Sequence, residues 1–173
     1  MAFFPAKRRW LGVEGEFIHL KVFADTARSA HVSGTLRGHA IDEVRPIGSV
    51  VERFSISHGM NVLLVNAVVR RQGPRADGGR TPARWSLAGR VGAGPSIPHP
   101  ESTIDGISLE RYEWGALAMH LAGGAEVRVA GRLSLMGEYK LTRTKQDVTV
   151  AAGTAQTTLV THHLAFGVVA HLP

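Results

Sequence analysis

The chain contains no cysteine among its 173 residues. This absence excludes disulfide bonds, thiolate metal sites and cysteine nucleophiles. Amide side chains are also scarce, and the complete set is Asn61, Asn66, Gln72, Gln146 and Gln156. Because these amides are thermolabile, their scarcity is typical of a thermophilic source, although biased codon usage gives the same composition.

The chain also lacks a long hydrophobic run. No apolar stretch approaches the roughly 20 residues that a membrane-spanning helix needs. The first residues, MAFFPAKRRW, place apolar side chains before the charges, unlike a secretory signal. Hydrophobic residues make up 44% of the chain and charged residues 20%, which is typical of a globular protein. The sequence therefore predicts one domain, residues 1–173, without a membrane-spanning segment and located in the cytoplasm.

Positive charge is what the chain has in excess. The formal net charge is +6 and the isoelectric point is near 10.5. Such a balance favours a polyanionic partner, nucleic acid above all. The alternative is that GC-rich genomes encode arginine-rich proteins with no such partner.

The hydrophobic pattern has a period of two along most of the chain, which predicts β-strands. Residues 117–121 are the one helix candidate, and it is short. The prediction is an all-β fold, a small closed or partly open barrel with one short helix, and the alternative is a jelly-roll sandwich. The predicted strands are 18–23, 32–37, 50–57, 61–71, 85–91, 127–136, 138–144 and 157–170.

Two segments interrupt this pattern. Residues 73–83, GPRADGGRTPA, form a predicted flexible arm with Arg75, Arg80 and Arg84 in it or beside it. Residues 92–106, GAGPSIPHPESTIDG, are rich in glycine and proline and predict a second loop. Together they predict a loop-rich insertion over residues 73–106.

Two other segments resemble the bacterial single-stranded-DNA-binding proteins of the OB-fold type. Residues 32–57, VSGTLRGHAIDEVRPIGSVVERFSIS, are similar to that family's opening strand, turn and second strand. Residues 109–133 are similar to its Trp-Gly-x-Leu-Ala run, short helix and Val-x-Val-x-Gly-x-Leu strand. The long separation of the two segments and the ending AFGVVAHLP, which has no acidic tail, depart from the family. The resemblance therefore implies an accessory, plasmid-borne or phage version of it, or another OB-fold protein.

The resemblance implies binding of single-stranded nucleic acid, DNA in the first instance, without catalysis. Bases would stack on aromatic rings, and cations would follow the phosphates. Trp114 and Phe54 match the family's aromatic sites, although core packing is the alternative role for both. Tyr112 and Tyr139 flank the same strands. The cations of the predicted groove are Arg37, Arg53, Arg111, Arg128, Arg132, Lys140, Arg143 and Lys145.

Spacing in the sequence gives no support to metal or catalytic chemistry. His162 and His163 are adjacent on a predicted strand, so they point to opposite faces. His31, His39, His58 and His120 lack the spacing of a zinc site. Nucleophile elbows, phosphate loops and dinucleotide fingerprints are absent from the sequence. We therefore expect a protein that is not an enzyme and has no cofactor and no metal.

Two structural roles remain as alternatives. The first is a jelly-roll coat protein of a virus, located in the virion, whose basic N-terminal arm (Lys7, Arg8 and Arg9) faces the genome while its loops contact neighbouring subunits. The second is an adaptor that pairs its edge strands with a protein partner. A homo-oligomer is expected for both the DNA-binding and the coat-protein hypotheses.

Overall fold

The computed structural model describes residues 1–75 and 82–172. Within these residues the chain is nearly all β-strand, and the only helical element is a 3-10 turn, Ile47–Ser49. The strands are β1 (Ala2–Phe3), β2 (Leu11–Phe23), β3 (Ser29–Leu36), β4 (His39–Pro46), β5 (Arg53–Gln72), β6 (Trp85–Pro98), β7 (Glu101–Ile104), β8 (Ile107–Glu110), β9 (Leu117–Ala130), β10 (Leu133–Val150) and β11 (Gly153–Ala170). The all-β prediction is confirmed.

Nine of the strands form one antiparallel sheet. Seven of them follow the order β1-β2-β5-β6-β9-β10-β11, and the other two are β7 and β8. The β7–β8 hairpin adds to β5 beyond the end of β6, and within residues 1–75 and 82–172 β3 pairs only with β4. Over the same residues the sheet does not close, so the predicted closed barrel is not observed. The site end of the sheet is the end where β5 starts at Arg53 and β9 starts at Leu117, and the far end is the end where β9 passes into β10.

The predicted helix over residues 117–121 is wrong, because this segment is the start of β9. Alanine, leucine and methionine are strong helix formers. Here, however, β9 pairs with β6 on one side and β10 on the other. The hydrogen bonds and packing from two neighbouring strands outweigh that local propensity.

The predicted loop over residues 92–106 is wrong for most of its length. Strand β6 runs through Gly92 and Gly94 to Pro98, and β7 and β8 follow after a short break. A Cβ atom at Gly94 would collide with the carbonyl oxygen of Leu63 on β5, and one at Gly92 would collide with the side chain of Asn66. These glycines allow two strands to approach closely rather than forming a loop. The predicted arm over residues 73–83 lies partly outside the described residues. Arg80 is among the residues that lie outside them.

The sheet is curled, with a buried inner face and an exposed outer face. Lys140 on β10 reaches Glu16 on β2, although β5, β6 and β9 lie between these strands in the sheet. A small apolar core occupies the site end of the inner face. Its buried members are Ile18, Ile56, Met60, Val62, Leu64 and Ala118. Among the described residues, no helix has the length and apolar character needed to cross a membrane.

Candidate functional site

A connected set of charges lies in the middle of the inner face. Arg90 on β6 donates to Glu14 on β2 at 2.8 Å and to Glu138 on β10 at 2.6 Å. Lys140 donates to Glu16, and its Nζ atom lies 3.4 Å from a carboxylate oxygen of Glu138. We call these five residues the inner charge network. It joins the two halves of the curled sheet across its interior.

Neutral polar side chains surround the inner charge network. Asn66 is fully buried and donates to Glu16 at 2.9 Å. His120 Nε2 lies 3.4 Å from the same oxygen of Glu16, Oε2, and its Nδ1 is 3.1 Å from Oγ1 of Thr142. The interior of the sheet is therefore polar at this level.

The outer face has the opposite character. Along β9, Leu121 and Met119 are exposed by 57% and 61%, and Phe166 on β11 is exposed by 77%. The outward-pointing residues of the neighbouring strands are also largely apolar. The other large exposed members of this apolar band are Val13 and Phe17 on β2, Leu63, Val65 and Val69 on β5, Leu87 and Val91 on β6, Leu117, Val127 and Val129 on β9, Leu133 and Leu135 on β10, and Val160, Leu164 and Val168 on β11.

Charged and aromatic residues lie at the two ends of the apolar band. At the site end, the outward positions of β10 change from Tyr139 to Arg143 and Lys145. The indole of Trp114, just before β9, is 75% exposed at this same end. Trp85 starts β6 at the far end, where it pairs with Val127. The apolar band therefore has a tryptophan near each of its ends.

A cluster of His58, His99 and Glu101 lies at the site end, away from the inner charge network. Glu101 is 4% exposed and accepts hydrogen bonds from Ser57 and, at 2.5 Å, from Arg53. The hydrogen bond from Ser57 has the largest effect on the pKa of the Glu101 carboxyl group, and it lowers that pKa. With His58 and Arg53 it outweighs the effect of burial, so the pKa of Glu101 lies below its usual 4.5. The carboxylate is therefore ionised and held in place.

The structure brings three of the four sequence-predicted aromatic residues to the site end. Tyr112 is 59% exposed, and its ring centroid lies 4.2 Å from that of His99. Phe54 is half-buried on β5, and Trp114 lies in the segment between β8 and β9. Tyr139 is instead in the apolar band, where its hydroxyl lies 2.6 Å from Nδ1 of His162.

The predicted cations are distributed over both ends and both faces. Several are already paired with carboxylates: Arg37 with Asp105, Arg53 with Glu101, Arg111 with Glu113, and Lys140 with Glu16 and Glu138. Arg128 and Arg132 lie at the far end, where β9 turns into β10. Arg143 and Lys145 point outward at the site end, and Arg111 lies at the same end, three residues before Trp114.

Sequence reasoning did not find the inner charge network or the His58–His99–Glu101 cluster. The ligand atoms of the cluster come from β5, from the break between β6 and β7, and from the first residue of β7. His99 and Glu101 are separated by one residue within the proline-flanked run PHPE, and this is the signal that the sequence offers. His58 joins them only through the pairing of distant strands.

Comparison with known proteins supplies no relative. The chain matches no family model, no curated protein and no solved structure.

Proposed function

We propose that this chain is an integral membrane protein that crosses a lipid bilayer with β-strands, and that its apolar band contacts the hydrocarbon. The observation that carries this proposal is the inversion of the two faces. Charged side chains point inward in the middle of the sheet, and large aliphatic side chains point outward. Apolar-out and polar-in alternation is the pattern of strands that face lipid on one side and an enclosed polar interior on the other.

The size of the apolar band supports this proposal. Strands lie about 4.8 Å apart, and the interval from Trp85 to Pro95 on β6 covers about 33 Å, so the six longest strands present roughly 950 Å² of outer face over that length. The largest apolar patch on a typical soluble monomer is about 300–600 Å². A surface of this extent is unfavourable in water, and hydrocarbon removes that cost.

The length of the band fits the same interpretation. Trp85 and Pro95 on β6 pair with Val127 and Leu117, which are outward positions near the two ends of the band on β9. This interval covers about 33 Å at 3.3 Å per residue. Tilted by about 45°, it spans about 23 Å, close to the height of the apolar belt of membrane-spanning sheets. Tryptophans near both ends match the aromatic girdles at the two lipid–water interfaces.

The proposal has a structural requirement at the sheet edges. Hydrocarbon cannot satisfy unpaired backbone N–H and C=O groups, each of which costs several kcal/mol in lipid. We therefore expect the edge of β11, and the edge of β2 beyond its short pairing with β1, to be paired when the sheet is in a bilayer. The alternative to lipid is a second copy of this chain that covers the apolar band in water.

The test is folding of the purified full chain from urea into phosphatidylcholine vesicles, compared with dilution into buffer without lipid. We expect β-structure by circular dichroism, co-flotation with the vesicles after a carbonate wash, and protection from trypsin only when vesicles are present. A soluble folded monomer in buffer would contradict the proposal. A defined dimer or larger assembly in buffer would instead assign the apolar band to a second copy, as the coat-protein hypothesis expects.

Single-stranded nucleic-acid binding is the second candidate, and the exposed indole of Trp114 favours it. Arg143 and Lys145 are unburied cations at the same end of the sheet, so stacking and phosphate contact can be combined there. Titration of tryptophan fluorescence with poly-thymidine tests this candidate. Quenching that high salt reverses, and that Trp114→Ala removes, supports it. Absence of quenching at low salt excludes Trp114 as a stacking site.

A further inference from the structure

The His58–His99–Glu101 cluster lies where two adjacent strands are both irregular. Gly59 on β5 has a φ of +111°, and the pairing of β5 with β6 begins only at Met60. Opposite it, β6 ends at Pro98 and β7 starts at Glu101. Interruptions of this kind redirect side chains and are frequent beside functional sites. Here they turn two imidazoles and a carboxylate toward one point.

The distances within the cluster suit one shared ion. Nδ1 of His58 lies 2.8 Å from Oε1 of Glu101, and Nδ1 of His99 lies 3.9 Å from the same oxygen. One ligand atom from each residue lies within 4.8 Å of the other two. Ligands of a tetrahedral Zn²⁺ site, with bonds of about 2.1 Å, are about 3.4 Å apart. The observed separations lie on both sides of that value, so small side-chain rotations bring all three atoms into coordination.

The burial of His99 distinguishes this cluster from an ordinary surface ion pair. Its side chain is 10% exposed, and its Nδ1 atom has no hydrogen-bond partner among the residues that the structure describes. An unpaired buried nitrogen costs about 1–3 kcal/mol. Coordination of an ion would satisfy it. His58, by contrast, is 62% exposed, so an ion and its further ligands can reach the cluster from solvent.

The surroundings hold the cluster in one geometry. Arg53 and Ser57 bind the carboxylate of Glu101, and the ring of Tyr112 packs against that of His99. Outer contacts of this kind orient metal ligands and are a regular part of metal sites. The backbone N–H of His99 donates to the carbonyl oxygen of Gly59 at 3.2 Å, which ties the strand break to β5.

We propose that His58, His99 and Glu101 bind one divalent transition-metal ion. Two imidazoles and one carboxylate are a ligand set of catalytic zinc sites and of non-haem iron sites, and both leave coordination positions open for water or a substrate. The proposal concerns only the site end, and it is tested in whichever medium (vesicles, detergent or buffer) the chain shows β-structure by circular dichroism, so it can fail independently of the membrane proposal.

The test uses the purified full chain, first stripped with a chelator, and Zn²⁺ and Co²⁺ as probes. Calorimetry with Zn²⁺ is expected to give one saturable site, and Co²⁺ is expected to develop visible absorption bands of a four- or five-coordinate ion. His58→Ala, which removes an exposed side chain, is expected to lower Zn²⁺ affinity at least about 100-fold, more than the usual loss from an outer contact. Glu101→Gln is expected to do the same.

The matched control is His31→Ala. His31 also lies 2.8 Å from a carboxylate, that of Asp42, but both side chains are exposed, by 63% and 76%. We expect His31→Ala to leave Zn²⁺ affinity unchanged. Zn²⁺ is also expected to raise the melting temperature of the wild-type chain and of His31→Ala, but not that of His58→Ala. Absence of a saturable Zn²⁺ site, or an equal loss of affinity in His31→Ala and His58→Ala, would overturn the proposal.

Discussion

Substitution of Leu121 by lysine tests the orientation of the sheet through a quantity that differs strongly between lipid and water. Leu121 is an outward residue near the middle of the apolar band on β9, between Leu117 and Val127, and it pairs with Val91 on β6 and Leu141 on β10. A lysine facing lipid at the bilayer midplane costs about 2–4 kcal/mol. That range lowers the ratio of folded to unfolded protein about 30- to 700-fold.

The same substitution would have little effect in water. An exposed residue that makes no special contact changes stability by no more than about 0.5 kcal/mol on substitution, and Leu121 is 57% exposed. Val129→Lys is the matched control, because Val129 points outward from the same strand but lies at its far end. There the lipid cost falls to about 0–1 kcal/mol.

The assay for both variants is equilibrium unfolding by guanidinium from phosphatidylcholine vesicles, followed by tryptophan fluorescence. We expect Leu121→Lys to lose about 2–4 kcal/mol and Val129→Lys no more than about 1 kcal/mol. Equal effects at the two positions, or no loss at Leu121, would refute the claim that this face contacts hydrocarbon.

Three further predictions concern stability. Arg90→Met leaves two carboxylates of the inner charge network without their shared cation, so we expect the free energy of unfolding to fall by about 3–5 kcal/mol. The control, Arg143→Met on the outer face, should have little effect. Denaturant unfolding of both variants measures the two free energies, and equal values would contradict the prediction. Gly94→Ala is expected to be destabilised by collision with β5, whereas Gly89→Ala, whose added Cβ would meet no atom within 4 Å, should be neutral or slightly stabilising; similar melting temperatures would contradict this. The pKa of Glu101 is below 4.5 in the folded chain, so the unfolded chain takes up the proton first as pH falls. The stability that this carboxylate contributes is therefore present above about pH 4.5 and is lost below it. In Glu101→Gln the free energy of unfolding should depend less on pH below about 4.5, and an unchanged pH dependence would contradict the prediction.

The strands could largely be predicted from the sequence, because period-two alternation persists along most of the sheet. Residues 117–121 and 92–98 could not, since local composition favours a helix in the first and a loop in the second. Pairing with neighbouring strands decides both cases. Glycine in β6 marks the close approach of β5, a tertiary fact that a single sequence does not express.

The sequence did not allow us to predict which face of the sheet points inward, and the reason differs from that for the local elements. Along β10, Leu135 and Tyr139 occupy one phase of the alternation, and Glu138 and Lys140 occupy the other. This phase is visible in the sequence. The alternation alone does not determine which phase points inward, and the assumption that water surrounds the sheet assigns the charges to the outside. At the site end the same assumption agrees with the structure, because Ile18 lies in the apolar core on the inner face.

The most direct test of the central claim is the accessibility of spin labels on two adjacent residues of β9 in phosphatidylcholine vesicles. The chain contains no cysteine, so Leu121→Cys and Ala122→Cys each give a single labelling site. Leu121 points outward, and Ala122 is 5% exposed on the inner face. We predict that a label at position 121 collides readily with dissolved oxygen and hardly at all with a water-soluble nickel chelate, and that a label at position 122 is much less accessible to oxygen. Free access of the nickel chelate to position 121 would contradict the account.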